Sequence, residues 1–296
     1  MSKKTNINVS KDKMFTDLHR LLETQNFKSE DELKNFLNNM MGAEIPSFPK
    51  EALSIKEQAQ DLIFEAHESS ITEGRKKAAE ALKLDPDCIE AYEYLGTLEN
   101  DVTKAMLHFQ KGVDIGKRLF GGEFREENKG AFWMIHETRP YMRCQQHLAD
   151  CFYGLGKIEE SVALLEELIE LNPNDNQGAR DQLLLFLIVM GEFGKFEKYA
   201  KQFDDDDAAF PLFNKALFAF IIEGESENAL KKLKEAMKSN KFVVKKLLSA
   251  KFELNIPETI AFGQESEADY YVTFARHVWD NIKGAKQWLR KNDQSK

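Results

Sequence analysis

The sequence predicts an all-α chain, a superhelix of stacked helix pairs, on three observations. Leu, Lys, Glu and Ala are abundant, which favours helix. Only 7 Pro and 16 Gly occur in 296 residues, too few for the many tight turns of an all-β protein. Apolar residues recur at helical spacing in segments that come in pairs from about residue 52 onward. Hydrophobic residues make up 42% of the chain, enough to bury a core.

Residues 1–10 are polar and predict a disordered tail. Residues 11–48 predict an N-terminal helical extension and linker. A first helix over 11–25 carries the stripe Met14, Phe15, Leu18, Leu21 and Leu22. A second over 29–41 opens on Ser29 with Glu32 three residues later, a capping box, and Gly42 can close it. Ile45-Pro46-Ser47-Phe48-Pro49 then reads as extended linker, because each Pro pushes its predecessor out of the helical region.

Residues 49–292 predict the repeat domain. Helix pairs stack in such arrays because neither helix can bury its apolar face alone. The clearest unit ends at Pro173: Leu148, Ala149 and Phe152 lie on its first helix, Gly154-Leu155-Gly156 makes the turn, and Ser161, Leu165 and Leu168 lie on its second. An earlier unit ends at Pro86, with Ala78, Ala79 and Ala81 as small packing residues on a helix from Glu73 to Leu84. The next opens at Ile89, where Tyr92, Leu95 and Gly96 give an aromatic–Leu–Gly spacing, and its second helix starts near Val102. This is the tetratricopeptide pattern, a unit of about 34 residues with Pro near its end. Pro86 and Pro173 lie 87 residues apart, which is not a whole number of such periods, so an insertion is required. The turn-rich stretch from Gly121 to Gly130 supplies it, placing an insertion at about 117–138. Further pairs are expected at 177–203, at 208–222 with 225–238, and at 264–278 with 280–291, with a lone helix near 241–252. Asp207 before Phe210-Pro211 is the expected helix start there. The fold expected is therefore a tetratricopeptide-type α-α superhelix, a right-handed helical-repeat solenoid with an N-terminal helical extension.

Two motifs carry a family resemblance. Glu137-Thr138-Arg139-Pro140-Tyr141-Met142-Arg143 and Leu171-Asn172-Pro173-Asn174-Asp175-Asn176-Gln177-Gly178 resemble motifs of a group of bacterial and plant tetratricopeptide proteins. That group is similar to the suppressor-of-tumorigenicity protein seven family. The order of Ala236 to Leu248, Ile256-Pro257-Glu258, Gly263 to Tyr271 and Trp279 to Leu289 fits the same group, so the resemblance covers about 55–290. It implies a helical-repeat fold and no enzymatic activity, substrate or cofactor. The chain departs from the animal members in lacking their membrane segments, so membrane placement does not carry over.

Charge and cysteine usage narrow the function classes. The formal net charge of −9 repels phosphate backbones and argues against a nucleic-acid partner. Cys88, Cys144 and Cys151 are odd in number and irregularly spaced, which suits a reducing compartment better than a disulfide framework. Met1 to Asn6 lack the apolar segment of a signal peptide. The longest apolar run, Leu183 to Met190, falls short of the ~20 residues a membrane span needs. These features predict a soluble, cytoplasmic chain.

The expected function is non-catalytic binding of a protein or peptide on the concave face. In a stack of this kind the first helices line that face, about 10 Å apart. Arg143 and Gln146 in one unit and Gln177 and Arg180 in the next would share a groove over residues 139–180, with Arg139 at its rim, Asn176 near a helix start and Tyr141 as a further groove candidate. Guanidinium forks suit carboxylates, so the groove would accept an acidic or C-terminal peptide segment. The competing structural reading pairs these arginines internally with Glu137, Asp150, Asp175 or Asp181. The Lys and Asn pattern of the carboxylate-clamp domains is not reproduced. Asn172 to Asn176 read more simply as a helix end and the cap of the next helix.

The alternative is an enzyme or metal-binding protein using the inserted segment around His136 and Arg139. Neither a nucleophile with a matched base nor a Gly-rich phosphate loop accompanies them. Trp133 and its neighbours read instead as a plug that seats the insertion. Cys144, His147 and Cys151 share a helix face that a metal could use, but buried Cys is usually a small hydrophobe. Asp204 to Asp207 lack a calcium-loop layout and read as a solvated turn with a capping Asp. Trp279 and Trp288 read as cap packing. No cofactor and no metal are expected, and helices 11–41 are a candidate self-association surface.

Overall fold

The computed structural model describes residues 7–41, 48–251, 255–257 and 259–293. The described residues are helical with no strand. The expected tail at 1–6, the closure at Gly42 and the linker at 45–47 lie outside them. By Cα proximity the chain divides into two compact units, where the sequence suggested one repeat domain over 49–292. The first holds the residues up to Lys157 together with Glu170–Pro173; the second holds Ile158–Ile169 and everything from Asn174.

The first unit opens with α1 (Ile7–Glu23) and α2 (Glu30–Met40). Helix α1 begins four residues ahead of the expected 11, so residues 7–10 are helical. Ser29 caps α2 by accepting the Glu32 N–H, but the Glu32 carboxylate takes the Lys28 N–H, one residue earlier than a reciprocal box requires. The helix pair α3 (Ile55–Glu68) and α4 (Ile71–Leu84) follows. Ser54 and Glu57 form a full capping box at the start of α3, and Ser70 caps α4. The second pair is α5 (Ile89–Thr97) and α6 (Val102–Leu119), with Asp101 capping α6. The small residues Ala59, Ala66, Ala78, Ala81 and Ala91 are fully buried and let α3, α4 and α5 approach closely around Leu62, Ile63 and Tyr94. Tyr94, not Tyr92, is the buried aromatic of α5: its hydroxyl donates to the Ala66 carbonyl across the pair, whereas Tyr92 stays half exposed.

The insertion is more ordered than its turn-rich sequence suggests. Gly122–Asn128 forms a short helix, α7, and 3₁₀ turns at Phe132–Met134 and His136–Thr138 lead into α8 (Arg139–Gly154). Lys129 pairs with Glu170 at 2.5 Å. The plug is Phe132, fully buried between Phe124 and Tyr141, while Trp133 is half exposed. Helix α8 lies on α6 along a seam of two glycines. A Cβ on Gly116 would meet the Tyr141 ring at 2.1 Å, and one on Gly112 the Cys144 Sγ at 2.6 Å. No side chain larger than hydrogen fits at either position.

The second unit contains α9 (Ile158–Leu171) up to Ile169, α10 (Ala179–Met190) with α11 (Phe193–Gln202), α12 (Ala209–Glu223) with α13 (Glu227–Ser239), α14 (Val243–Leu248), and α15 (Glu265–Asn281) with α16 (Ala285–Asn292). Helix α10 is apolar all round, Leu183 to Leu187 being fully buried. It starts at Ala179, two residues later than expected, because Gly178 adopts a left-handed conformation and Asp175 accepts the N–H groups of Ala179 and Arg180. Helix α12 starts without the expected Asp207 cap; Asp206 accepts the Ala208 N–H and the buried Glu267 that of Ala209. Trp279 donates to the Tyr271 hydroxyl and Trp288 stacks on Phe220, so both are core residues of this end. The fold is all-α, built of tetratricopeptide-type helix pairs.

Candidate functional site

In the first unit the first helices α3, α5 and α8 neighbour one another in that order. Polar side chains join them into one face. Gln60 of α3 donates to Glu90 of α5 at 2.9 Å. Arg143 of α8 forks onto Glu93 of α5, Nε to Oε1 at 2.7 Å and a terminal nitrogen to Oε2 at 2.9 Å. On the far side of α3, Arg20 of α1 reaches Asp61 at 2.8 Å and Glu57 at 3.0 Å. The face therefore runs over four helices from α1 to α8.

A cavity of about 290 Å³ opens beside it, walled by α1, by the starts of α3 and α5, by the end of α6 and by the insertion. Its lining carries six carboxylates, Glu23, Glu57, Asp85, Asp87, Glu90 and Glu137, against two fixed cations, Arg20 and Lys56. Arg20 is already shared by three carboxylates and Asp87 pairs with Arg118. Glu90 accepts from the neutral Gln60 amide. Burial, only partly countered by its own N–H and by Arg143, raises its pKa. For Glu57 burial acts the same way, but hydrogen bonds from Ser54 and the Arg20 charge outweigh it and hold the carboxyl below its usual range. His136 also lines the cavity, and its Nε2 is buried without a hydrogen-bond partner.

Burial shifts the thiols and the imidazoles in opposite directions. Burial, with Glu90 nearby, pushes the Cys88 thiol up. Burial does the same to Cys144 and takes Cys151 to about 11. His67 and His147 are pushed down by burial, against the opposing pull of Glu93. Of the face considered for a metal, Cys144 fills the Gly112 seam and His147 stacks on Phe109 at 4.8 Å. Among the described residues no group of three or more His, Cys, Asp or Glu side chains is placed to hold a metal ion.

The expected groove residues divide between the units. In the first, Arg139 donates to the Trp133 carbonyl at 3.0 Å and lies over the Trp133 ring. Tyr141 is a core residue of the α6–α8 seam, 2% exposed. Arg143 faces Glu93, and Gln146 is half-buried on α8. In the second, Asn176 is exposed and Gln177 half-buried, both in the turn before α10. Arg180 is held by Asp175 at 2.9 Å and Asp206 at 2.6 Å. Asp175 is the internal partner the sequence suggested; Glu93 and Asp206 are not. The sequence reading missed Arg20, Glu57, Asp61, Glu90 and Glu93. The signal for Arg20 was present: Lys13, Asp17 and Arg20 stand at i, i+4 and i+7, a charged stripe on a helix read only for its apolar one.

No family model matches the chain. The suppressor of tumorigenicity 7 protein-like of Bos taurus is 25% identical over 238 residues, 73% of this chain and 43% of its own length. That of Homo sapiens is 25% identical over 238 residues, 73% and 41%, and that of Gallus gallus 25% over 240 residues, 72% and 43%. The chain resembles the suppressor of tumorigenicity 7-like proteins. It spans less than half the length of these curated relatives. Among solved structures, the crystal structure of YrrB, a TPR protein with an unusual peptide-binding site, matches at 20% identity with a TM-score of 0.44, covering 69% of this chain and 91% of that one. No helix among the described residues is long and apolar enough to cross a membrane.

Proposed function

We infer that this chain is a non-catalytic scaffold that binds a segment of another protein on the first-helix face of its first unit. The observation that carries this reading is the unbroken polar ladder Arg20–Asp61, Gln60–Glu90, Glu93–Arg143, which lies beside a carboxylate-rich cavity. Helical-repeat proteins use such extended faces for binding. Thiols whose pKa burial raises are poor nucleophiles at neutral pH. The free cysteines suit a reducing compartment, in line with a cytoplasmic scaffold.

The charge of the ligand follows from what each group already holds. An acidic or C-terminal segment across 139–180 would have to take Arg143 from Glu93 and Arg180 from Asp175 and Asp206. A basic segment meets Glu90, Glu137 and Asp85 already gathered around a cavity. The basic ligand is therefore favoured. Self-association through 11–41 has less to support it, because Arg20 makes its ion pairs within the chain. The reading as an enzyme or metal protein has one observation in its favour, the unpartnered His136 Nε2 in the cavity.

An array of short peptides graded by charge, probed with the full chain, tests these readings. Basic peptides are expected to bind at micromolar Kd, with at least fivefold weakening in Glu90→Gln. Selective capture of acidic peptides, lost in Arg143→Ala, would favour the 139–180 groove instead. Binding to no peptide, together with stoichiometric metal in the purified protein, would favour the metal reading.

A further inference from the structure

We propose that α1 is an intramolecular occupant of a docking face on α3, and that this face receives from a partner protein a helix bearing two cations seven residues apart. The proposal rests on the scaffold reading and deepens it by naming the ligand and what blocks it.

Helix α1 is seated by its charged stripe. Lys13, Thr16, Asp17 and Arg20 stand at i, i+3, i+4 and i+7 and so share one side of the helix. That side meets α3. Arg20 is 5% exposed and donates to Glu57 Oε1, to Asp61 Oδ1 and to the Glu57 carbonyl. Lys13 sits over the Phe64 ring, with its Nζ 5.9 Å from the centroid. Lys13 meets residue 64 and Arg20 meets 57 and 61, so the two helices run antiparallel. Asp17 lies between the cations and touches both, at 2.6 Å and 3.1 Å.

The apolar residues of α1 divide: Met14 and Phe15 are 48% and 46% exposed, while Leu18, Leu21 and Leu22 are half-buried. A surface helix is ordinarily held by its apolar stripe, with its charges in water. Here a buried guanidinium and a cation–π contact mark the docked side. Such a contact is lost with a single charge, and its partly exposed carboxylates, Glu57 and Asp61, leave it open to some screening by salt.

What α1 covers is a built receptor for cations. Glu57 and Asp61 lie one helical turn apart on α3, with Phe64 in the next turn. Thr16, His19, Arg20 and Glu23 of α1 form a wall of the cavity that holds Glu90, so release of α1 opens it. Being part of the same chain, α1 competes at an effective concentration on the order of 1 mM, enough to mask the face from a micromolar ligand.

The test uses the full chain and a fluorescein-labelled synthetic peptide of residues 7–28, read by anisotropy. Arg20→Glu is expected to bind the peptide at least tenfold tighter than the unaltered chain, whose own α1 competes. The gain is expected to shrink as NaCl rises from 50 to 500 mM, and a peptide carrying Arg20→Ala is expected to bind at least tenfold more weakly. Equal binding of both peptides, or equal binding by both chains, overturns the proposal. If Arg20→Glu does not fold by circular dichroism, Arg20→Gln carries the same comparison. A chain that captures array peptides yet is indifferent to α1 refutes this inference and leaves the scaffold reading standing; a chain that binds neither refutes both.

Discussion

Asp181 shows how much one side chain can report. Burial, reinforced by the Asp206 and Asp175 charges and opposed by Arg180, pushes its carboxyl up to about 8. Its Oδ1 is buried without a hydrogen-bond partner. An aspartate whose pKa is higher in the folded than in the unfolded chain favours folding most at low pH. That contribution is complete below about 3.8 and is lost as pH climbs through about 8. Asp181→Asn, which cannot ionise, is therefore expected to be on the order of 4 kcal/mol more stable relative to the unaltered chain at pH 8.5 than at pH 4.5. Urea denaturation at the two pH values checks it; an unchanged or reversed difference contradicts the assignment. Arg180, one residue earlier, was legible in the sequence as a guanidinium among acids. Its partner Asp206, 26 positions on, was not, because only the packing of the second unit brings the two together.

Between elements, the seam of α6 and α8 makes the sharpest demand. Gly116 lets the Tyr141 ring lie against the α6 backbone. Gly116→Ala is expected to cost about 2–3 kcal/mol through overpacking, even though alanine is the better helix former. Gly194→Ala on α11, where a Cβ meets nothing within 4 Å, is the control, expected to gain about 0.5 kcal/mol. Thermal unfolding of the two variants reads the contrast; equal shifts would remove the seam from the account. The helix pairs themselves were legible. Periodic apolar residues and the punctuation at Pro86 and Pro173 located most helices within a few residues. Less legible was whatever depended on contacts far along the chain. Helix α7 hides in a Gly-rich stretch because its order comes from Phe124, which packs on Phe132 and Phe120. The docking stripe of α1 was masked by the hydrophobic one it shares the helix with.

At the scale of the whole chain, six carboxylates stand against two fixed cations around the cavity beside the first-helix face. That local excess is what makes a cationic protein segment the ligand proposed. Ligand is proposed to bind within the first unit, across α3, α5 and the start of α8. Hydrogen exchange of the full chain, measured with and without the tightest basic peptide from the array, tests this most directly. Slowed exchange is expected in α3, α5 and residues 136–143 alone, with faster exchange in α1 as it is displaced. Protection that falls wholly within residues 174–293, with α1 and α3 unchanged, would contradict it.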